Sequence, residues 1–185
     1  MTNKSLKKEH ETLIVLAILL CLGIFYRFIH YLPNFTPIAA ISLFSGFYFR
    51  KQWALLLPVL TLLLSDIFIG FYEWQIMASV YASFILIGLI GMLMNKKIGV
   101  SKIILGSLTG SFLFFVITNF ATWYFSNWYS HSMHGLAQCY FMAIPFFRNT
   151  LIGDLFYNGA LFGCYGFYRF YVAKDLGKMR KTSQV

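Results

Sequence analysis

Apolar residues come in long blocks along this chain, separated by short polar or basic interruptions. A helix needs roughly 20 residues to cross a bilayer. Measured against that length, the blocks predict six transmembrane helices near 12–29, 36–49, 53–70, 76–94, 102–123 and 146–172. The expected fold is an all-α integral membrane bundle, a single domain over 1–185, with both ends on one side because six is even. The first block follows a basic start, as a signal peptide does. No convincing cleavage site follows it, and Leu20 before Cys21 does not suit a lipoprotein site, so an uncleaved first helix is expected.

Composition strengthens this picture. The chain is 59% hydrophobic, 20% aromatic and only 11% charged, with a mean hydropathy of +0.69, which is outside the range of soluble domains. The net charge of +9 could indicate nucleic acid. Its basic residues, however, fall between apolar blocks rather than on a polar face, which points to a lipid bilayer and to no nucleic acid. All but Arg27 and Arg148 of the 15 Lys and Arg fall at one set of span ends. The positive-inside rule then makes both termini and the loops at 50–52 and 95–101 cytoplasmic, as in a multi-pass protein of the bacterial inner (plasma) membrane.

That orientation leaves three outer connections, 30–35, 71–75 and 124–145, and gathers His30, Asn34, Asp66, Glu73, Asn119, Asn127, His131, His134, Asn149 and Asp154 on the outer side. A site, if present, faces outward. The second span has about 14 residues from Thr36, roughly 21 Å of helix, against a hydrocarbon core of roughly 30 Å. Thr36 can cap it and Pro37 can occupy its first turn. The connection before it is expected to dip into the membrane, covered by protein or lining a cavity; local bilayer thinning is the alternative. In 124–145, the piece 136–147 is too short to span and holds Pro145, so the segment reads as an interfacial or re-entrant lid or as an aromatic belt. Gly106 and Gly110, and Gly159, Gly163 and Gly166, have the spacing of close helix packing, expected inside the bundle.

Candidate chemistry centres on acids in the outer half of two spans. A carboxylate in a bilayer is costly and usually faces a bundle interior or a wet cavity. Asp66 lies near the end of span three, with Glu73 seven positions on and on the same face if that helix continues. In span six, Thr150, Asp154 and Asn158 share a stripe four residues apart. Either acid can pair with Arg27 or Arg148 as a structural bridge, or meet a ligand directly. Asn119, Trp123 and Asn127 form another four-residue stripe. It would let an aromatic ligand stack on Trp123 or Trp128, although both tryptophans also suit interfacial anchoring.

His131 and His134 are three apart, but no third ligand in a recognisable motif accompanies them, so no metal is expected. Cys21, Cys139 and Cys164 lack C-x-x-C spacing and read as small apolar fillers. No phosphate loop, H-E-x-x-H or G-x-S-x-G motif occurs, so an intrinsic ATPase and the usual membrane hydrolase chemistry lack their signals, and no cofactor motif is present.

Leu32-Pro-Asn-Phe-Thr-Pro-Ile-Ala-Ala40, Leu43-Phe-Ser-Gly46, Ser65-Asp-Ile-Phe-Ile-Gly70, Thr118-Asn-Phe-Ala-Thr-Trp123 and Phe147-Arg-Asn-Thr-Leu-Ile-Gly-Asp154 together resemble an uncharacterised family of small bacterial membrane proteins assigned to transport. In size, helix count and outer polar loops, the chain also looks like the S components of energy-coupling-factor (ECF) vitamin transporters. That resemblance implies uptake of a small nutrient, a vitamin or cofactor precursor, captured from outside. It also implies an energising transmembrane coupling protein with cytoplasmic ATPases as partner. The small-residue face of such a first helix has only Ala17-Ile-Leu-Leu-Cys21 as its counterpart here, which leaves room for a solitary protein.

The expected substrate-binding residues are Asn34, Asp66, Glu73, Asn119, Trp123, Trp128, Arg148 and Asp154, with no catalytic residue and 124–145 as the lid. Two other functional classes stay open. One is a membrane-embedded acid–base enzyme acting on a lipid-linked substrate through Asp66, Asp154 and His131 or His134. The other is a non-catalytic membrane scaffold.

Overall fold

The computed structural model describes residues 3–29, 33–49, 51–94 and 99–182. Every regular element among them is a helix: α1 (Asn3–Phe28), α2 (Ile38–Tyr48), α3 (Lys51–Ile69), α4 (Trp74–Leu93), α5 (Val100–Phe125) and α6 (Met133–Thr182). Three apolar stretches, His10–Phe28, Trp74–Leu93 and Val100–Phe125, are long enough to cross a membrane; Ile38–Tyr48 and Leu55–Ile69 are shorter. The architecture is all-α, with three helices suited to a membrane by length and composition. His30, Arg50, Lys96 and Lys97 lie outside the described residues.

The shortest helix is the centre of the molecule. Ile38 through Gly46 of α2 are all buried, and α2 touches each of the other five helices. A helix that is apolar on every side needs a protein core or lipid around it, and here the surroundings are the other five helices. Because it is enclosed, α2 has no need to reach water at both ends, which accounts for its 11 residues. The connection before it is irregular and covered: Phe35 and Thr36 are half-buried and Pro37 is buried. Asn149 Nδ2 donates to the Pro33 carbonyl at 3.1 Å, satisfying one of its backbone groups. The expected Thr36 cap does not form. Pro37 occupies the cap position at φ −78° and ψ 0°, with no side-chain cap bond.

Glycine brings α2 against α4. A methyl group on Gly46 would run into the Gly88 carbonyl oxygen, and one on Gly91 into the Leu43 carbonyl oxygen, so backbone meets backbone at two points one helical turn apart. Of the two small-residue patterns expected to pack internally, one does so. A methyl on Gly106 would meet Met94 Sδ at 3.0 Å, and one on Gly110 would meet Ile87 Cγ1 at 3.3 Å. Gly159, Gly163 and Gly166 instead face open space, with nothing within 4 Å of an added methyl. The internal contacts of α6 come from its other face, where Phe162 packs on Phe44 with ring centroids 5.2 Å apart.

The expected re-entrant piece 136–147 is instead the first part of α6, which runs unbroken through Pro145 for 50 residues. At 1.5 Å per residue that is roughly 75 Å, far beyond a bilayer core. Its start is set by Ser132, whose Oγ accepts from the Gly135 N–H at 3.1 Å. Packing on α5 then holds the segment straight. Tyr140 Oη donates to the Val116 carbonyl at 2.8 Å, Cys139 Sγ donates to the Asn119 carbonyl at 3.4 Å, and Phe147 lies 4.4 Å from Phe115 between centroids. Of the presumed lid, only 126–132 is non-helical.

Candidate functional site

Three helices meet at one ion pair. Arg27, in the last turn of α1, places Nη1 2.6 Å from Asp66 Oδ1 on α3. The same nitrogen donates to Ser65 Oγ at 2.6 Å and to the Leu62 carbonyl at 3.2 Å. From α4, Tyr81 donates its hydroxyl to Asp66 Oδ2 at 2.7 Å. The Asp66 side chain is 1% exposed and Arg27 17%, so the pair is largely out of water and its geometry must offset desolvation. The structural bridge proposed for Asp66 is thus present, with Arg27 as partner. Glu73 does not join it. Gly70, at φ +107°, ends α3, and its N–H donates to the Asp66 carbonyl at 2.9 Å. Glu73 stands exposed at the start of α4 instead.

Behind this pair lie two adjoining cavities. The smaller, about 230 Å³, is lined by Arg27, Asn34, Thr36, Ile38, Ala39, Leu62, Tyr72, Val80, Phe84, Phe114, Thr150 and Asp154. The larger, about 410 Å³, lies between α4, α5 and α6 and is walled by Phe114, Phe115, Phe146, Phe147, Trp128 and Tyr129, with Thr118, Asn119, Thr122 and Cys139 among them. Asn34, Val80, Phe114 and Thr150 belong to both walls. One end is therefore charged and the other aromatic with scattered hydroxyls and an amide. Asn119 donates Nδ2 to the Phe115 carbonyl at 2.8 Å, which fixes its amide on the cavity wall. Tyr72, in the connection 70–73, is held protonated more firmly than an ordinary phenol by burial and then by the Asp66 carboxylate, with Arg27 opposing.

A polar file runs from the smaller cavity into the α5–α6 seam. Asp154 is 3% exposed and Asn158 2% exposed. Ser111 Oγ lies 2.5 Å from Asp154 Oδ2 and 3.0 Å from the Ser107 carbonyl. One hydroxyl proton is shared between these two acceptors. Asn158 Nδ2 donates to Ser107 Oγ at 3.1 Å, while Asn158 Oδ1 is buried without a partner. Thr150, Asp154 and Asn158 are all buried, as their shared stripe implies.

Of the residues expected to bind substrate, Asn34, Asn119, Trp128 and Asp154 line the cavities, and Asp66 stands behind Arg27. Trp123 lies outside both linings, donating Nε1 to the Ser130 carbonyl at 3.0 Å beside His131. Arg148 is exposed and also outside them. Asn127 is past the end of α5, so the stripe through Asn119 and Trp123 stops short of it. Thr36, Tyr72, Phe114 and Thr118 line the cavities without having been singled out for binding. Thr118 and Thr122, four apart beside Asn119, were the signal that could have found one wall.

His131 is exposed and stacks on Tyr124 with centroids 6.0 Å apart, and it is not among the residues lining either cavity; His134 is exposed too. No cluster of three or more His, Cys, Asp or Glu suited to a metal occurs among the described residues. Cys21, Cys139 and Cys164 are free thiols, and only Cys139 is buried.

No curated protein and no solved structure matches the chain. Residues 7–175 match the family of unknown function DUF6580, and the chain belongs to that family.

Proposed function

We propose that this chain is a multi-pass inner-membrane protein that captures a small, ring-containing nutrient from the outer side and serves its uptake. The observation that carries this reading is the pair of adjoining cavities, aromatic at one end and charged at the other, enclosed by α1 to α6 through shared walls. A ligand site of this kind is mostly apolar, with a few polar groups that fix orientation. The distribution of Lys and Arg supports an outward-facing mouth with cytoplasmic termini. The similarity in size and helix count to ECF S components supports a vitamin-like substrate and a separate energising partner with cytoplasmic ATPases.

Ala143 is half-buried on the wall of the larger cavity, so Ala143→Phe fills space without removing a polar contact. Protein purified in detergent from cells grown in rich medium is denatured, and the released small molecules are identified by mass spectrometry. Wild type releases a compound that the variant lacks. Identical profiles, or a wild type that releases nothing, defeat the reading.

A further inference from the structure

We infer that the captured compound is an organic cation, an amine on a ring-containing body, whose positive charge sits against Asp154. This rests on the capture reading above and adds the ligand's charge. Among the described residues, Arg27 and Asp154 are the charged groups on the two cavity walls. Arg27 is already committed to Asp66 at 2.6 Å. The neighbourhood thus holds one guanidinium against two carboxylates, and the second carboxylate has a serine hydroxyl as its partner and no basic side chain.

A buried carboxylate has to be neutralised by a proton or met by a cation. Asp154 also lines the smaller cavity, which gives a ligand cation room to take that place. Asn158 Oδ1, one turn further along α6 and 2% exposed as a residue, is a buried acceptor without a donor next to the cavity lining rather than in it. The far end of the site fits the same occupant. Phe114, Phe115, Phe146, Phe147, Trp128 and Tyr129 present ring surface that receives an aromatic body and favours positive charge.

The test uses full-length protein in detergent and two probes of similar size and opposite charge, phenethylamine and 3-phenylpropionate. Binding is followed by thermal stabilisation, with Asp154→Asn as the variant because an amide can still accept from Ser111. Phenethylamine is expected to stabilise wild type, and its affinity to fall roughly ten- to a hundredfold in D154N, as befits loss of a charged hydrogen bond; phenylpropionate stabilises neither. Stabilisation by phenylpropionate as strong as by the amine overturns the inference, as does a D154N protein that responds to the amine like wild type. Capture itself survives both results.

The compounds released from wild type provide the second readout. An amine or quaternary ammonium compound that D154N lacks supports the assignment. A neutral or anionic compound overturns the cation and leaves capture standing. Release of no compound at all defeats both. A D154N protein that fails to purify is replaced by Asp154→Glu, which keeps the charge and is expected to keep amine over phenylpropionate selectivity.

Discussion

Removing either partner of Arg27 and Asp66 leaves the other charge buried, so the cost is expected to be large: on the order of 3–5 kcal/mol for Arg27→Met alone. The double replacement Arg27→Met with Asp66→Leu is expected to recover most of that loss, since no charge is then stranded. Thermal melts of the three variants in one detergent check the pattern, and a double mutant as unstable as the single contradicts it. Tyr81→Phe removes one hydrogen bond to the same carboxylate and is expected to cost roughly 1.5–3 kcal/mol. This cluster was partly legible in the sequence. An acid in an apolar block demands a partner, and there were two arginines to choose from. What chose Arg27 was α1 ending beside α3, a tertiary fact. The stripe of Thr150, Asp154 and Asn158 was fully legible because helical spacing alone places them together. Glu73 was misplaced because it was assigned by assuming continuity through Gly70, whose positive φ ends the helix.

Among the elements, α2 and α4 depend on glycine where the Gly159, Gly163 and Gly166 face of α6 does not. Gly46→Ala and Gly91→Ala would each drive a methyl into a backbone carbonyl, and both are expected to prevent the two helices from seating, read as loss of the monodisperse elution peak. Gly159→Ala and Gly163→Ala meet nothing and are expected to leave stability unchanged or raise it by roughly 0.5–1 kcal/mol each, through helix propensity. The sequence displayed the second pair as a packing motif more plainly than the first. Spacing shows which residues share a helical face, but not whether another helix lies against that face. Pro145 misled for a related reason. It lacks one backbone N–H, yet the contacts of Cys139, Tyr140 and Phe147 with α5 keep α6 helical on both sides of it.

At the scale of the whole molecule, the apolar blocks made the all-α fold legible. They did not show that the shortest one lies at the centre. A block apolar all round reads the same whether lipid or protein surrounds it, and α2 is surrounded by protein. The cavities were less legible still, because they form between several helices rather than along any single one. The proposed orientation predicts that a cysteine placed at Asn127 reacts with a membrane-impermeant thiol reagent added to intact spheroplasts, while one at Gln184 reacts only after lysis; the opposite pattern reverses the topology.

The central claim is that the two cavities receive one ligand. Ala143→Phe obstructs the larger and Thr36→Leu the smaller, and neither touches the Arg27–Asp66 pair. Mass spectrometry of the compounds released from wild type and from both folded variants decides it. The account predicts one compound in wild type that is missing from both variants; retention of that compound by either variant contradicts it.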